Sequence, residues 1–241
     1  MIQALLVDLD QTLADDRFSA AEAWEQAFAA LSAIDSTIPH DDLEDVYWRL
    51  SNDIWAVLDE NMRPDATAAG IRLEVWRESL RRMGCLQWEK LGRLASDRYW
   101  EHRLETYHLY PDVIPFLQAA REVVPVILVT NGTCDIQEAK IEKTGLNRYV
   151  DTALIAQAVG ASKPSAVIFR KALEAANCGP ENALMVGDNY SRDIFGALRC
   201  GMRAVWVQRD VQYPEPPFPP YPELTVRTLL PVLDLLPAGV T

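Results

Sequence analysis

The sequence is poor in the residues that build zinc sites and disulfide frameworks. Its 241 residues include only four cysteines and three histidines. These are Cys85, Cys134, Cys178, Cys200, His40, His102 and His108. No C-x-x-C pair and no zinc-ligand spacing occurs among them. We therefore expect no zinc centre, and we expect the cysteines to be buried fillers or surface thiols in a reduced cytoplasm.

Basic clusters and long apolar runs are also missing. Asp and Glu number 35 against 23 Lys and Arg, which gives a net charge of −12. Because a nucleic-acid binder carries a basic patch, we expect no nucleic-acid partner. No apolar run has the length of a membrane span, and no basic segment leads into an apolar stretch at the N-terminus. We therefore expect no membrane partner and no signal peptide. An anionic substrate is still compatible with this charge, provided that the site is locally positive.

Apolar residues make up 49% of the chain and charged residues 24%, which is typical of a globular protein with a substantial core. The pattern predicts strands at 4–7, 124–129, 152–156, 183–186 and 204–208. It predicts helices at 113–121, 136–144, 165–176, 192–199 and 229–236. Strands that alternate with helices in this way indicate βαβ units and therefore an α/β fold with a parallel sheet.

A helical insert separates the first strand from the rest of the sheet. Apolar residues recur at helical spacing from about residue 19 to residue 107. Six of the seven tryptophans lie in this insert: Trp24, Trp48, Trp55, Trp76, Trp88 and Trp100. We expect most of them to form the core of a helical bundle, with one or two facing a cleft. The charged residues at its start, Asp15, Asp16 and Arg17, are candidates for hinge or substrate contacts, but we expect them to be solvated loop charges. Near the C-terminus, the proline-rich segment 214–222 predicts an extended connector.

Four short polar clusters mark candidate chemistry. They are Asp8-Leu9-Asp10-Gln11-Thr12, Thr130-Asn131-Gly132, Lys163-Pro164, and Gly187-Asp188 through Asp193. Three of the four directly follow a predicted buried strand. In an open parallel sheet, ligands bind in the crevice at the carboxyl ends of the strands. We therefore expect the four clusters to meet in one pocket.

The residue types in these clusters suit a Mg²⁺ ion and a phosphate. Asp8 and Asp10 point to the same side of a strand end, where like charges repel unless a cation lies between them. Mg²⁺ takes oxygen ligands, and Asp188 offers a third carboxylate. Lys163 adds a compact positive charge, Thr130 a hydroxyl, and the Asn131-Gly132 loop backbone N–H groups for phosphate oxygens.

Together the clusters resemble the four motifs of the haloacid dehalogenase (HAD) superfamily, and the resemblance extends from residue 2 to about residue 236. It implies a Rossmann-like parallel sheet with helices on both faces. It also implies a catalytic core at 1–15 and 109–241, with the insert, 16–108, as a helical cap of the subfamily I type. Gln11 and Ala166 depart from the usual motif residues, but neither change removes a catalytic group.

The same resemblance implies roles for individual residues. Asp8 is the nucleophile that forms an aspartyl-phosphate, and Asp10 is the general acid and base. Thr130 binds the phosphoryl group, with Asn131, Gly132 and Thr12 as further substrate contacts. Lys163 steadies Asp8 and the phosphate. Mg²⁺ is held by Asp8, the backbone carbonyl of Asp10, and Asp188. Asp193 and Asn189 lie behind these groups, where Asp193 orients Lys163 or a metal-bound water.

The expected activity is hydrolysis of a small phosphorylated metabolite with Mg²⁺, by a monomer or a homodimer. The presence of Asp10 favours a phosphatase over a haloacid dehalogenase. Dehalogenases of this superfamily lack the second carboxylate, because a halide leaves without needing a proton. A sugar-phosphate mutase remains an alternative, since it keeps both carboxylates. A non-enzymatic interaction protein is the third alternative, with the proline-rich segment as its one supporting feature.

Overall fold

All five predicted strands are present, each within two residues of its predicted limits. The computed structural model describes residues 1–60, 63–209 and 218–238. The strands are β1 Ala4–Val7, β2 Val126–Thr130, β3 Thr152–Ile155, β4 Ala183–Gly187, β5 Arg203–Val207 and β6 Leu224–Val226. The last of them was not predicted, because three residues beside a proline-rich segment carry little periodic signal.

The strands form one parallel sheet in the order β3-β2-β1-β4-β5-β6. The chain builds outward from β1 in one direction and then from β4 in the other. This places a topological switch point between β1 and β4, where the backbone N–H of Asp8 donates to the carbonyl of Val186 at 2.9 Å. A crevice opens at the carboxyl ends of the strands at such a point.

Helices cover both faces of the sheet, as predicted. Alternate residues of β1 belong to different apolar clusters, because successive side chains of a strand point to opposite faces. Leu5 and Val7 pack with Phe116, and Ala4 and Leu6 pack with Phe169 on the other face. The α/β class with a Rossmann-like sheet is therefore confirmed.

The predicted helices of the core are present, but two of them are not simple α-helices. The α-helices are α1 Asp16–Ser32, α2 His40–Glu60, α3 Ala68–Arg82, α4 Trp88–His102, α5 Val113–Arg121, α6 Cys134–Thr144, α7 Ala156–Val159, α8 Ala166–Ala176 and α9 Phe195–Arg199. The predicted helix 192–199 is a π-helical turn, Tyr190–Ile194, that continues into α9. The predicted helix 229–236 is a 3-10 helix, Leu230–Leu235. Helix α8 begins after Ser165, whose side chain accepts the N–H of Val167 at 3.3 Å and so caps it.

The helical insert has an apolar core of its own, in which Trp24 and Trp76 are fully buried. Ala14 before the insert and Leu109 after it pair through an isolated backbone bridge, so the two ends of the insert lie side by side. The predicted limits 16–108 enclose α1 to α4. The division of the chain into core and cap stays a prediction.

Other expectations concern residues at the surface. The four cysteines are free thiols and partly buried. Pro214, Pro216 and Pro217 lie outside the described residues, while the segment from Phe218 is tied to the core because the Tyr190 hydroxyl donates to the carbonyls of Phe218 and Pro220.

Within the described ranges, no helix combines the length and apolar character needed to cross a bilayer.

Candidate active site

A cavity of about 560 Å³ lies at the carboxyl edge of the sheet, between the strand ends and the helical insert. The predicted residues that line it are Asp8, Asp10, Thr130, Asn131, Gly132, Lys163, Asp188, Asn189 and Asp193. Thr12 is different, because it is fully buried and its hydroxyl donates to Asp8 Oδ2 at 3.2 Å. We expected Thr12 to contact the substrate, but it does not line the cavity. Its hydroxyl instead holds the Asp8 carboxylate in position.

Lys163 lies at the centre of the charged groups. Its side chain is 1% exposed. Its Nζ donates to Asp8 Oδ1 at 2.5 Å and to the Val129 carbonyl at 2.8 Å, and lies 2.7 Å from Asp193 Oδ1. Burial alone would lower the pKa of Lys163, but Asp193 and Asp8 outweigh it and raise that pKa. The lysine is therefore expected to carry its positive charge at neutral pH.

Asp8 lies in a place that disfavours its own charge. Burial raises its pKa to about 6, Lys163 opposes the shift, and Asp193 adds to it. A nucleophilic carboxylate must be ionised, so further positive charge beside Asp8 would favour the reactive form.

Three carboxylates converge on the same point. Oxygen atoms of Asp8, Asp188 and Asp193 all lie within 4.8 Å of one another. Burial raises the pKa of Asp188 well above its ordinary value, and Asp8 and Asp193 raise it further. Lys163 supplies one positive charge against three carboxylates, so a divalent cation fits the remaining charge and the all-oxygen donor set. The Asp10 carboxylate does not belong to this group. The resemblance assigns to the ion only the backbone carbonyl of Asp10.

The Asp10 carboxylate is held by three residues that the sequence did not single out. Tyr107 Oη and Gln137 Nε2 each donate to it at 3.0 Å, and Lys140 Nζ lies 2.8 and 2.9 Å from its two oxygens. Burial raises the pKa of Asp10, and Asp16 raises it further against the opposing effect of Lys140. The signal for Gln137 and Lys140 was their i, i+3 spacing on α6, the helix that follows the Thr130 cluster.

Asp16 is not the solvated loop charge that we expected. It pairs with Lys140 at 2.7 Å and with Arg103, whose guanidinium also donates to Ser19 Oγ. Its pKa is held far below the ordinary range because Arg103 and Lys140 outweigh the cost of burial. The reason is tertiary: the start of α1, the end of α4 and the middle of α6 meet where the insert joins the sheet.

Asp15, Arg17 and the predicted site residue Asn131 differ in what their side chains do. Asp15 accepts the N–H of Phe18 at 3.0 Å and caps α1, while Arg17 is exposed and lines the cavity. The Asn131 side chain joins two loops, since it accepts the N–H of Lys163 at 2.8 Å and donates to the Lys163 carbonyl at 3.1 Å. Asn131 therefore positions Lys163, and the backbone of its loop is what faces the cavity.

Gly187 explains how Asp193 reaches Lys163. A Cβ atom at position 187 would lie 2.4 Å from Asp193 Oδ2, so only glycine leaves room for that carboxylate. Asp193 Oδ2 also accepts the N–H of Asn189 at 3.0 Å, and Asn189 Oδ1 accepts the N–H of Arg192 at 3.0 Å. These contacts place Asp193 against Lys163, as predicted, and give Asn189 the role of a cap for the turn.

The helical insert supplies the opposite wall of the cavity. Trp48 and Trp55 line it, in agreement with the expectation that one or two tryptophans face the cleft. Arg72 and Tyr99 line it as well. The wall therefore contains three aromatic side chains and the buried guanidiniums of Arg72 and Arg103, beside small and polar residues such as Ala20 and Ser51.

Comparison with known proteins identifies the family. A family model for haloacid dehalogenase-like hydrolases matches residues 2–201. The chain belongs to the HAD-like hydrolase family. The solved structure of the HAD-hydrolase YfnB from Bacillus subtilis, bound to magnesium, shares the fold with a TM-score of 0.76 and 21% identity over 97% of this chain and 98% of that one.

Two characterised relatives are similar in sequence to this HAD-like hydrolase. Phosphoserine phosphatase from Thermus thermophilus is 40% identical over 153 residues, which are 63% of this chain and 60% of that enzyme. The match thus spans less than two thirds of that relative. Glyceraldehyde 3-phosphate phosphatase from Methanopyrus kandleri is 30% identical over 210 residues, which are 87% of this chain and 85% of that enzyme.

Proposed function

We propose that this HAD-like hydrolase is a Mg²⁺-dependent phosphatase that hydrolyses a small phosphorylated metabolite through an aspartyl-phosphate on Asp8. One observation carries the proposal. Asp8 and Asp10 line the same cavity but have different partners, Lys163 for one and the Tyr107, Gln137 and Lys140 group for the other. Two carboxylates in separate environments can take the separate roles of nucleophile and acid. The relatives named as phosphatases support the same reaction class.

In the first step, an Asp8 oxygen attacks phosphorus and the bond to the leaving alkoxide breaks. Asp10 donates a proton to that alkoxide. Because burial raises the pKa of Asp10, this carboxyl keeps its proton to a higher pH than an exposed one and is suited to act as the acid. Lys163 neutralises charge on Asp8 and on the phosphoryl group, and the Thr130 hydroxyl and the Asn131-Gly132 backbone bind phosphoryl oxygens.

In the second step, Asp10 takes a proton from water, which attacks phosphorus and releases phosphate from Asp8. Splitting the displacement in two lowers the barrier of each part. Asp8, Asp188 and the backbone carbonyl of Asp10 would hold Mg²⁺, with Asp193 beside them. When bound, the ion would supply Lewis-acid charge neutralisation at the phosphoryl oxygens. Residues 16–108 would act as the cap that excludes water from this chemistry.

A screen against phosphorylated metabolites tests the reaction class. We expect phosphate release from small phosphomonoesters with Mg²⁺, and loss of that release with excess EDTA that added Mg²⁺ restores. The Asp188→Asn variant should need more Mg²⁺ for half-maximal rate, since it lacks one anionic ligand. Absence of phosphate release across the panel would contradict the proposal, and an unchanged Mg²⁺ titration would contradict the role of Asp188.

The Asp10→Asn variant tests proton transfer. We expect kcat to fall by about 10²–10⁴-fold on alkyl phosphates, because the leaving alkoxide then has no proton donor. The loss should be much smaller on p-nitrophenyl phosphate, whose leaving group needs no proton. Asp97→Asn, an exposed position on α4, is the matched control and should behave as the wild type. Equal losses on both substrates would show that Asp10 is not the acid.

A further inference from the structure

Arg72 is the buried cation on the far wall of the cavity. It belongs to α3 in the helical insert, is 8% exposed, and lines the same cavity as Asp8 and Lys163. Its Nη1 donates to the Tyr47 hydroxyl at 2.9 Å, and its Cζ lies 3.9 Å from the centre of the Tyr99 ring. Packing against aromatic rings fixes the guanidinium in place but does not neutralise its charge.

Arg72 has no acidic partner among the described residues. Its guanidinium contacts the Tyr47 hydroxyl and the Tyr99 ring, and it forms no ion pair with a carboxylate of the described residues. The other buried cations that line the cavity differ, because Lys140 pairs with Asp10 and Asp16, Arg103 pairs with Asp16, and Lys163 pairs with Asp8. A buried charge without a counter-ion is costly. We therefore expect a negatively charged group of a ligand to bind beside Arg72.

Two polar atoms at Arg72 and Tyr99 also lack hydrogen-bond partners. Arg72 Nε and the Tyr99 hydroxyl are both buried, and neither has a partner in the described part of the chain. Both atoms are closed off from the cavity, so a ligand reaches this guanidinium at Nη2, which makes no hydrogen bond in the described chain and is not fully buried. Nη2 carries two N–H donors, and a carboxylate is the acceptor that matches such a charged donor group.

We propose that Arg72 recognises a carboxylate on the alcohol part of the substrate. The substrate class is then a phosphomonoester of a small hydroxy acid, with its phosphoryl group at Asp8 and Lys163 and its carboxylate at Arg72. This inference rests on the proposed phosphatase function. The aromatic surroundings of Arg72 keep water away and strengthen its attraction for the carboxylate.

The test compares substrates that differ in one group. O-Phosphoserine and O-phosphoethanolamine differ by the carboxylate alone, and ethane-1,2-diyl bisphosphate offers a second phosphate instead. We expect the wild type to prefer O-phosphoserine over O-phosphoethanolamine by about 10- to 100-fold in kcat/KM, the range of one charge-assisted hydrogen-bonded contact. In Arg72→Gln the ratio should fall close to one, chiefly through lost activity on O-phosphoserine. Arg82→Gln, at an exposed position of the same helix, should keep the wild-type ratio.

Each outcome decides a separate point. Hydrolysis of both esters at equal rates by the wild type would overturn the role of Arg72 and leave the phosphatase proposal standing. If none of the three esters is hydrolysed while other members of the phosphomonoester panel are, the role of Arg72 is overturned and the phosphatase proposal stands; no hydrolysis of any member of the panel would overturn the phosphatase proposal itself. A preference for the bisphosphate that disappears in Arg72→Gln would overturn the carboxylate in favour of a second phosphate. If Arg72→Gln does not fold, Arg72→Lys replaces it, since it keeps the charge but loses the paired donors. An undiminished preference in Arg72→Lys would then contradict the proposal.

Discussion

The Asp8→Asn variant is expected to lose turnover by a factor on the order of 10⁴ or more, because an amide cannot take the place of the carboxylate that attacks phosphorus. Lys163 remains paired with Asp193 in this variant. An amide at position 8 also carries no charge, and burial already disfavours the charge of Asp8. We therefore expect the fold to be retained.

Two measurements check this prediction. Steady-state kinetics with the best substrate of the screen give the loss in kcat, and thermal unfolding monitored by circular dichroism reports on the fold. Brief incubation with ³²P-labelled substrate followed by acid quench should leave acid-stable label on the wild type and none on Asp8→Asn. Asp65→Asn, an exposed position, is the control. Residual activity within tenfold of the wild type would show that Asp8 is not the nucleophile.

The Lys163→Met variant is expected to lose both activity and stability. Removal of the lysine leaves Asp8 and Asp193 buried without their shared cation, and breaking a buried pair in this way costs about 3–5 kcal/mol of unfolding free energy. Activity should fall at least about 10²-fold, since the charge that steadies the nucleophile and the phosphoryl group is gone.

The pH dependence separates this explanation from a packing defect. In the wild type without divalent ions, burial raises the pKa of Asp8 to about 6. A carboxyl whose pKa is raised in the folded state favours folding at low pH and loses that contribution as the pH rises through the folded value. Lys163 opposes this shift, so its removal should raise the pKa of Asp8 further. We expect the stability deficit of Lys163→Met to be larger at pH 7.5 than at pH 4.5.

Urea unfolding in EDTA at the two pH values measures this difference. Lys143→Met, an exposed position on α6, is the matched control and should change stability little at either pH. A deficit of equal size at both pH values would show that the loss comes from packing rather than from unpaired carboxylates.

The sequence by itself determined five of the six strands and the strand ends at which the reactive groups lie. The apolar runs before Asp8, Thr130 and Asp188 became β1, β2 and β4 within one or two residues, because buried parallel strands need continuous apolar segments. Once those strands were assigned, the meeting of the clusters at one edge followed from the parallel arrangement. The resemblance to the HAD superfamily implied that Asp193 orients either Lys163 or a metal-bound water, and the structure pairs Asp193 with Lys163.

What only the tertiary structure decided is the set of partners that these groups have. The contacts of Asp10 with Tyr107 and Lys140 join residues that are 97 and 130 positions apart. No local pattern reports such a contact, because it depends on how the helical insert folds back on the sheet. The same holds for Arg72, which no motif in the sequence singled out. Its role follows from burial and from the absence of a carboxylate around it in the described chain, and both are properties of the packed molecule.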